Sequence, residues 1–153
     1  MKIVLAADSA GKPLLDVIAT HLANKPGLKV VDMSRRPDDA PEYYAETAER
    51  AALAIRAGKF DRGIFCCGTG IGVCMSANKV PGIRAAHVHD VYSADRAVKS
   101  NNAQVITMGA RVIGSEHAKL IVDTFLAATF DPASHSAANV DAIDALDRRH
   151  HKE

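Results

Sequence analysis

At 153 residues the chain has the length of one ordinary domain, and a content of 48% hydrophobic and 24% charged residues is enough to bury a core of fair size. A formal net charge of +1 excludes a broad field for capturing nucleic acid or anionic lipid. No apolar run approaches the ~20 residues that span a bilayer, and the apolar stretch of Met1-Lys2-Ile3-Val4-Leu5 is too short for a signal peptide, so a cytoplasmic protein is expected.

Short apolar runs alternate with longer helical patterns, which predicts a parallel sheet covered on both faces. Ile3 to Ala7 forms the first strand and ends at Asp8-Ser9-Ala10-Gly11. Leu14, Leu15, Ile18 and Leu22 then recur at helical spacing between Lys12 and Asn24. Leu28 to Met33 is the second strand, and Tyr44 to Ala57 a helix with an alanine-rich face. Gly63 to Cys67 is the third strand, followed by a helix over Ile71 to Lys79. Ile83 to Val88 is the fourth strand, with a helix over Val91 to Lys99 behind it. Val105 to Met108 is the fifth, and His117 to Ala128 its helix. The expected fold is α/β, a three-layer doubly wound, Rossmann-like sheet of five parallel strands in a single domain over 1–153. A tail helix from about 136 carries Val140, Ile143 and Leu146 on one stripe, to pack on its own domain or on a second subunit. The basic run Arg148-Arg149-His150-His151-Lys152 reads as a frayed, exposed helix end.

Sheets of this kind bind ligands beyond the carboxyl ends of their strands. Four such ends are chemically informative: Asp8-Ser9, Cys67 to Gly72, His87 to Asp90, and Gly109-Ala110-Arg111. In Cys67-Gly68-Thr69-Gly70-Ile71-Gly72 the glycines let the backbone approach a ligand and turn amides inward, while the turn opens a helix at its positive end. An anion or a reaction oxyanion can sit there, and a thiol there is expected to be acidified, suiting a base or nucleophile. The spacing fits neither a dinucleotide fingerprint nor a P-loop. Cys66 and Cys74 read as buried inert thiols. The three cysteines offer neither a disulfide framework nor a metal-binding spacing, so no metal and no cofactor is expected. Asp8 suits a helix N-cap and a ligand-binding carboxylate equally. His87 and His89 share one side of their strand and read as satisfied structural histidines. Arg111 could hold an anion.

Ala7-Asp8-Ser9-Ala10-Gly11-Lys12, the Cys67 to Gly72 turn, Ser76 to Ala85, Tyr92-Ser93-Ala94, Asn101-Asn102-Ala103 and Met108 to Gly114 together identify the chain as a member of the ribose-5-phosphate isomerase B and galactose-6-phosphate isomerase family. The resemblance implies a homodimer or tetramer and a metal-free aldose–ketose isomerisation of a sugar phosphate through an enediolate. On the matched positions Cys67 is the base and Thr69 moves the hydroxyl proton. The amides of Gly68, Gly70, Ile71 and Gly72 hold the oxyanion, Asp8 binds sugar hydroxyls or acts catalytically in ring opening, and Ser9 meets the sugar. Asn101, Arg111 and His135 complete the implied substrate contacts.

The chain departs from the ribose-5-phosphate pattern at chosen places. Ser9 stands where such members have histidine, Ser100 where they have the ring-opening histidine, and Ser134 and Asn139 where they have phosphate-binding arginines; His135 survives of that cluster. A tetrose phosphate is the favoured substrate, since it cannot close a stable ring. The alternatives are the cysteine-bearing subunit of a hetero-oligomeric galactose-6-phosphate-type isomerase, and a sugar-phosphate-binding module without turnover.

Overall fold

The structure, a computed structural model, describes residues 1–151. In chain order the elements are β1 (Lys2–Ala7), α1 (Lys12–Leu22), β2 (Lys29–Asp32), α2 (Tyr44–Arg56), β3 (Arg62–Cys67) and α3 (Ile71–Ala77). There follow β4 (Ala85–His87), α4 (Val91–Lys99), β5 (Val105–Gly109), α5 (Ser115–Ala127) and α6 (Ala137–His150). All strands are parallel in the order β2-β1-β3-β5-β4. The chain steps outward from β1 to β2 and then returns across the sheet to β3, so strand order reverses between β1 and β3. The crevice for a ligand in an open α/β sheet lies beyond the carboxyl ends at that reversal.

Side chains of a strand alternate between faces, and both faces here are covered. Ile3, Leu5 and Ala7 pack with Ile18, Ile121 and Phe125 of α1 and α5. Val4, Ala6, Phe65 and Cys67 pack with Ala48, Ala51, Ala52 and Val73 of α2 and α3. Central β3 and β5 are therefore apolar almost throughout, while the edges β2 and β4 are partly exposed. Burying each large aliphatic or aromatic side chain contributes about 1.5–3 kcal/mol, which is why an aromatic-poor core suffices.

The edge strand β4 is shorter than the apolar run Ile83 to Val88. The Ile83 amide turns back to the Val80 carbonyl at 3.1 Å, and the Arg84 amide donates to the Gln104 side chain at 2.8 Å. The ladder therefore starts at Ala85, whose outer edge is occupied by Asn78. The Ala85 amide donates to Asn78 Oδ1 at 2.9 Å, and Asn78 Nδ2 donates to the Ala85 carbonyl at 2.8 Å. One amide side chain thus blunts an edge that could otherwise pair with another strand.

The tail helix docks on its own chain through buried Val140, an Arg84–Asp144 ion pair and a bond from the Gly82 amide to Asp147. Ile143 and Leu146 of the same stripe stay 37% and 48% exposed. The basic run expected to fray is helical through His150, its cations lying at the favourable carboxyl end of the helix and His151 pairing with Asp147. Lys152 lies outside the described residues. Among those described, no helix is long and apolar enough to cross a membrane.

Candidate active site

Cys67 ends β3, and the chain turns through Gly68, Thr69 and Gly70 into α3. Gly70 has φ +80°, and a Cβ there would lie 2.6 Å from the Met108 carbonyl carbon, so a side chain is excluded by both strain and space. Across the contact, a Cβ on Gly109 would meet the Thr69 oxygen at 2.5 Å. The turn is thus pressed against the end of β5. Gly72 leaves room for the Tyr44 ring, 2.7 Å from where its Cβ would be, and a Cβ on Gly68 would lie 3.3 Å from the Arg111 guanidinium. Each glycine of the motif answers a particular close approach.

Cys67 Sγ accepts the Gly70 N–H at 3.0 Å. Cys67 is buried, 6% exposed, at the carboxyl end of β3. Cys66 points to the opposite face, where burial first, then the neighbouring Cys67 and Asp8, push its thiol far up. Burial also raises Cys74. All three cysteines are free. Thr69 is exposed, and its Oγ1 accepts the Ile71 amide at 3.3 Å, leaving the hydroxyl proton free to be donated.

The ends of β1 and β5 flank this turn. Asp8 Oδ1 accepts the Gly11 amide at 2.8 Å within the turn before α1, whose N-cap is Gly11 and not Asp8, while the second Asp8 oxygen has no partner among the described residues. Asp8 and exposed Ser9 line a cavity of about 290 Å³ with Ser34, Arg35, Asp39 and Glu42. Gly11 brings α1 onto β3 so tightly that a Cβ would lie 2.3 Å from the Cys66 carbonyl. The Ala110 and Arg111 amides donate to the Cys67 and Gly68 carbonyls at 2.9 and 3.0 Å. Exposed Arg111 has no ion-pair partner among the described residues, so a free guanidinium stands over the glycine turn.

His87 and His89, at the carboxyl end of β4, are satisfied by backbone as expected. His87 Nε2 lies 2.9 Å from the Thr69 carbonyl, which demands that this nitrogen carry the proton. His89 Nε2 accepts the Gly109 amide at 2.9 Å, and the two rings meet edge to face at 4.5 Å. Burial first, then the neighbouring His87, hold His89 below the usual histidine range. Sequence reasoning missed the service these residues give to the turn, and missed Tyr44 and the close approaches that Gly11 and Gly109 allow. Tyr44 carried one signal, an exposed aromatic at the start of a helix.

Two expected substrate contacts stand elsewhere. Since α4 and α5 run back along the sheet, Ser100 and Asn101 lie before the amino end of β5, and His135 lies beyond the far end of α5. The length of β5, about 16 Å at ~3.3 Å per residue, separates that end from Cys67. Asn101 and His135 are exposed, and within one chain they do not join the site. Ser100 Oγ is occupied by Arg96, at 2.9 and 2.6 Å. Among the described residues no cluster of His, Cys, Asp or Glu is arranged to hold a metal ion.

A parallel α/β sheet with a cysteine–glycine turn at its strand ends and an unpaired arginine above it defines a class of small-molecule enzyme site acting on anions. The ribose/galactose isomerase family profile matches residues 3–143, and the chain belongs to that family. It is 51% identical over 143 residues to a D-erythrulose-4-phosphate isomerase of Pectobacterium atrosepticum, covering 94% of this chain and 93% of that protein. It is 43% identical to D-erythrulose-4-phosphate isomerase 2 of Mycolicibacterium smegmatis, over 96% of this chain and 97% of that one. The structure of ribose-5-phosphate isomerase B from Clostridium thermocellum superposes with a TM-score of 0.89 at 37% identity, over 98% and 99% of the two chains.

Proposed function

We propose that the protein interconverts the aldose and ketose forms of a four-carbon sugar phosphate, with Cys67 as the base. The observation that carries this is the Cys67 sulfur at the carboxyl end of β3, held by the Gly70 amide in a glycine turn over which the unpaired Arg111 stands. Starting from the ketose, the Cys67 thiolate takes a proton from C1. The C–H electron pair forms the C1–C2 double bond, and the carbonyl pair moves to O2. Amides of the Gly68–Gly72 turn not engaged by Cys67 or Thr69 steady that oxyanion. The Thr69 hydroxyl passes a proton from O1 to O2, and the Cys67 thiol returns its proton to C2. Electrons balance within the substrate, and no redox partner is required. Asp8, with one oxygen free, and Ser9 meet sugar hydroxyls, and Arg111 meets the phosphate.

The four-carbon length rests on the residues beside this framework and on the two erythrulose-4-phosphate isomerases it resembles. A tetrose esterified at O4 has no hydroxyl with which to close a furanose, so it needs no ring-opening group, in keeping with serine at position 100. Free thiols suit a reducing cytoplasm. Because exposed Asn101 and His135 lie at the far end of their own sheet, we place them in the site of a second copy in a homodimer or larger assembly. Turnover of erythrulose, ribose and hexose phosphates, with Cys67→Ala as control, tests the substrate. Ribose 5-phosphate turned over as well as erythrulose 4-phosphate would refute the tetrose assignment, and a purified chain inactive until a different subunit is added would refute the homomeric one.

A further inference from the structure

We infer that His87 is a positioning residue for Cys67, acting through the Thr69–Gly70 peptide; the inference rests on the assignment of Cys67 as base. One planar trans peptide carries both contacts. Its carbonyl faces His87 Nε2 at 2.9 Å, and its N–H faces Cys67 Sγ at 3.0 Å. The oxygen and hydrogen of a trans peptide point in opposite directions, so His87 and the sulfur sit on opposite sides of one rigid plate. Rotating that plate breaks both bonds together.

A glycine turn needs such a clamp. Gly70 has no side chain to oppose rotation of the peptide before it, and its φ of +80° is one of several conformations open to glycine. Packing supplies part of the restraint. The Thr69 oxygen presses on Gly109, at 2.5 Å from its Cβ position, and the His87 ring edge comes within 3.0 Å of the Cβ position of Gly70. His89 completes it by accepting the Gly109 amide at 2.9 Å, which fixes the surface on which the Thr69 carbonyl rests. An apolar side chain at 87 could fill the space, but it could not donate to the carbonyl. The imidazole also polarises the peptide, so that the N–H facing sulfur is the stronger donor in a connected chain of hydrogen bonds. Cys67 would thereby be aimed and given its amide partner by a residue that need not touch substrate.

The test uses the full chain and erythrulose 4-phosphate, with His87→Leu, His87→Gln and Cys67→Ala measured in parallel. His87→Leu should lose kcat by about 10- to 100-fold, the range seen when an orienting partner is removed, with KM little changed. His87→Gln places an N–H donor near the same point and should recover most of that loss. The Gly70 amide should exchange with solvent faster in His87→Leu than in the parent, at equal thermal stability. Should His87→Leu fail to fold, His87→Asn, whose donor stops short of the Thr69 carbonyl, takes its place with the same expected loss. Full kcat in the leucine variant, or a glutamine variant as impaired as leucine, overturns the inference. If Cys67→Ala is inert while His87→Leu is fully active, this inference alone fails. If Cys67→Ala turns over normally, the base assignment fails first.

Discussion

The Cys67 sulfur is met by a backbone amide, with no histidine, lysine or carboxylate in hydrogen-bond contact among the described residues. Charge forming on sulfur is answered by the turn itself, so the site depends on geometry as much as on residue type. Cys67→Ala should reduce kcat by about 10²–10⁴, the usual contribution of a positioned base, while thermal unfolding shows a folded protein. Arg111→Ala should raise KM for the phosphorylated sugar by about 10- to 100-fold, as expected for a charge-assisted contact of about 1.5–3 kcal/mol. The same change should leave turnover of the unphosphorylated tetrose unaltered; equal loss on both sugars would remove Arg111 from phosphate binding. Cys67 and Arg111 were legible as candidates because residue type and strand-end position coincide in them, whereas Thr69 entered only through the family resemblance. His87 was not, because its importance lies in which carbonyl it meets, and that carbonyl belongs to a turn 18 residues away.

Among elements, the β3–α3 turn and the ends of β4 and β5 form one interlocked junction. Gly109→Ala would drive a Cβ to 2.5 Å from the Thr69 oxygen, so the turn would have to move as a body. That variant should lose most activity even where it remains folded, and retained activity would show the junction to be softer than its contacts indicate. His89 makes the junction sensitive to acid. Its pKa is lowered on folding, chiefly by burial, and the bond it accepts from Gly109 exists only while Nε2 is unprotonated. The unfolded chain therefore binds a proton more readily than the folded one between the folded pKa and about 6.5. The contribution of His89 to stability is complete above about pH 6.5 and is lost as pH falls through the folded pKa. Melting temperature measured from pH 8 to 5 should fall more steeply in the parent than in His89→Gln, whose side-chain oxygen still accepts the Gly109 amide; parallel curves would contradict this. Central strands and helices were legible because burial on both faces and 3.6-residue periodicity leave plain patterns. The shortening of β4 was not, since it follows from Asn78 and Gln104 competing for its backbone groups.

Over the whole molecule, the sheet separates the expected site residues into two groups at its opposite ends. Topology does this unavoidably: each helix that follows a strand returns the chain to the amino end, so a residue closing α4 cannot meet one closing β3 in the same chain. Strand order could not be read from one sequence, and it is that order which sets Asn101 at the opposite end of its own chain's sheet from Cys67. Two copies related by a twofold axis reconcile the two, since any contact from the far end of one to the near end of the other is repeated in reverse. This makes a decisive prediction about mixtures. Cys67→Ala and Asn101→Ala should each be nearly inactive alone, because every site in either assembly lacks one contributor. After subunits exchange, half of the dimers are mixed, and in each of these one site carries both defects while the other carries none. Mixing equal amounts should therefore restore about a quarter of the parent activity per site, the share set by twofold symmetry and random pairing. Recovery would rise with the time allowed for exchange and vanish if each variant is first cross-linked. A mixture that stays inactive after exchange is shown to be complete, or an Asn101→Ala protein fully active by itself, would mean that each chain completes its own site.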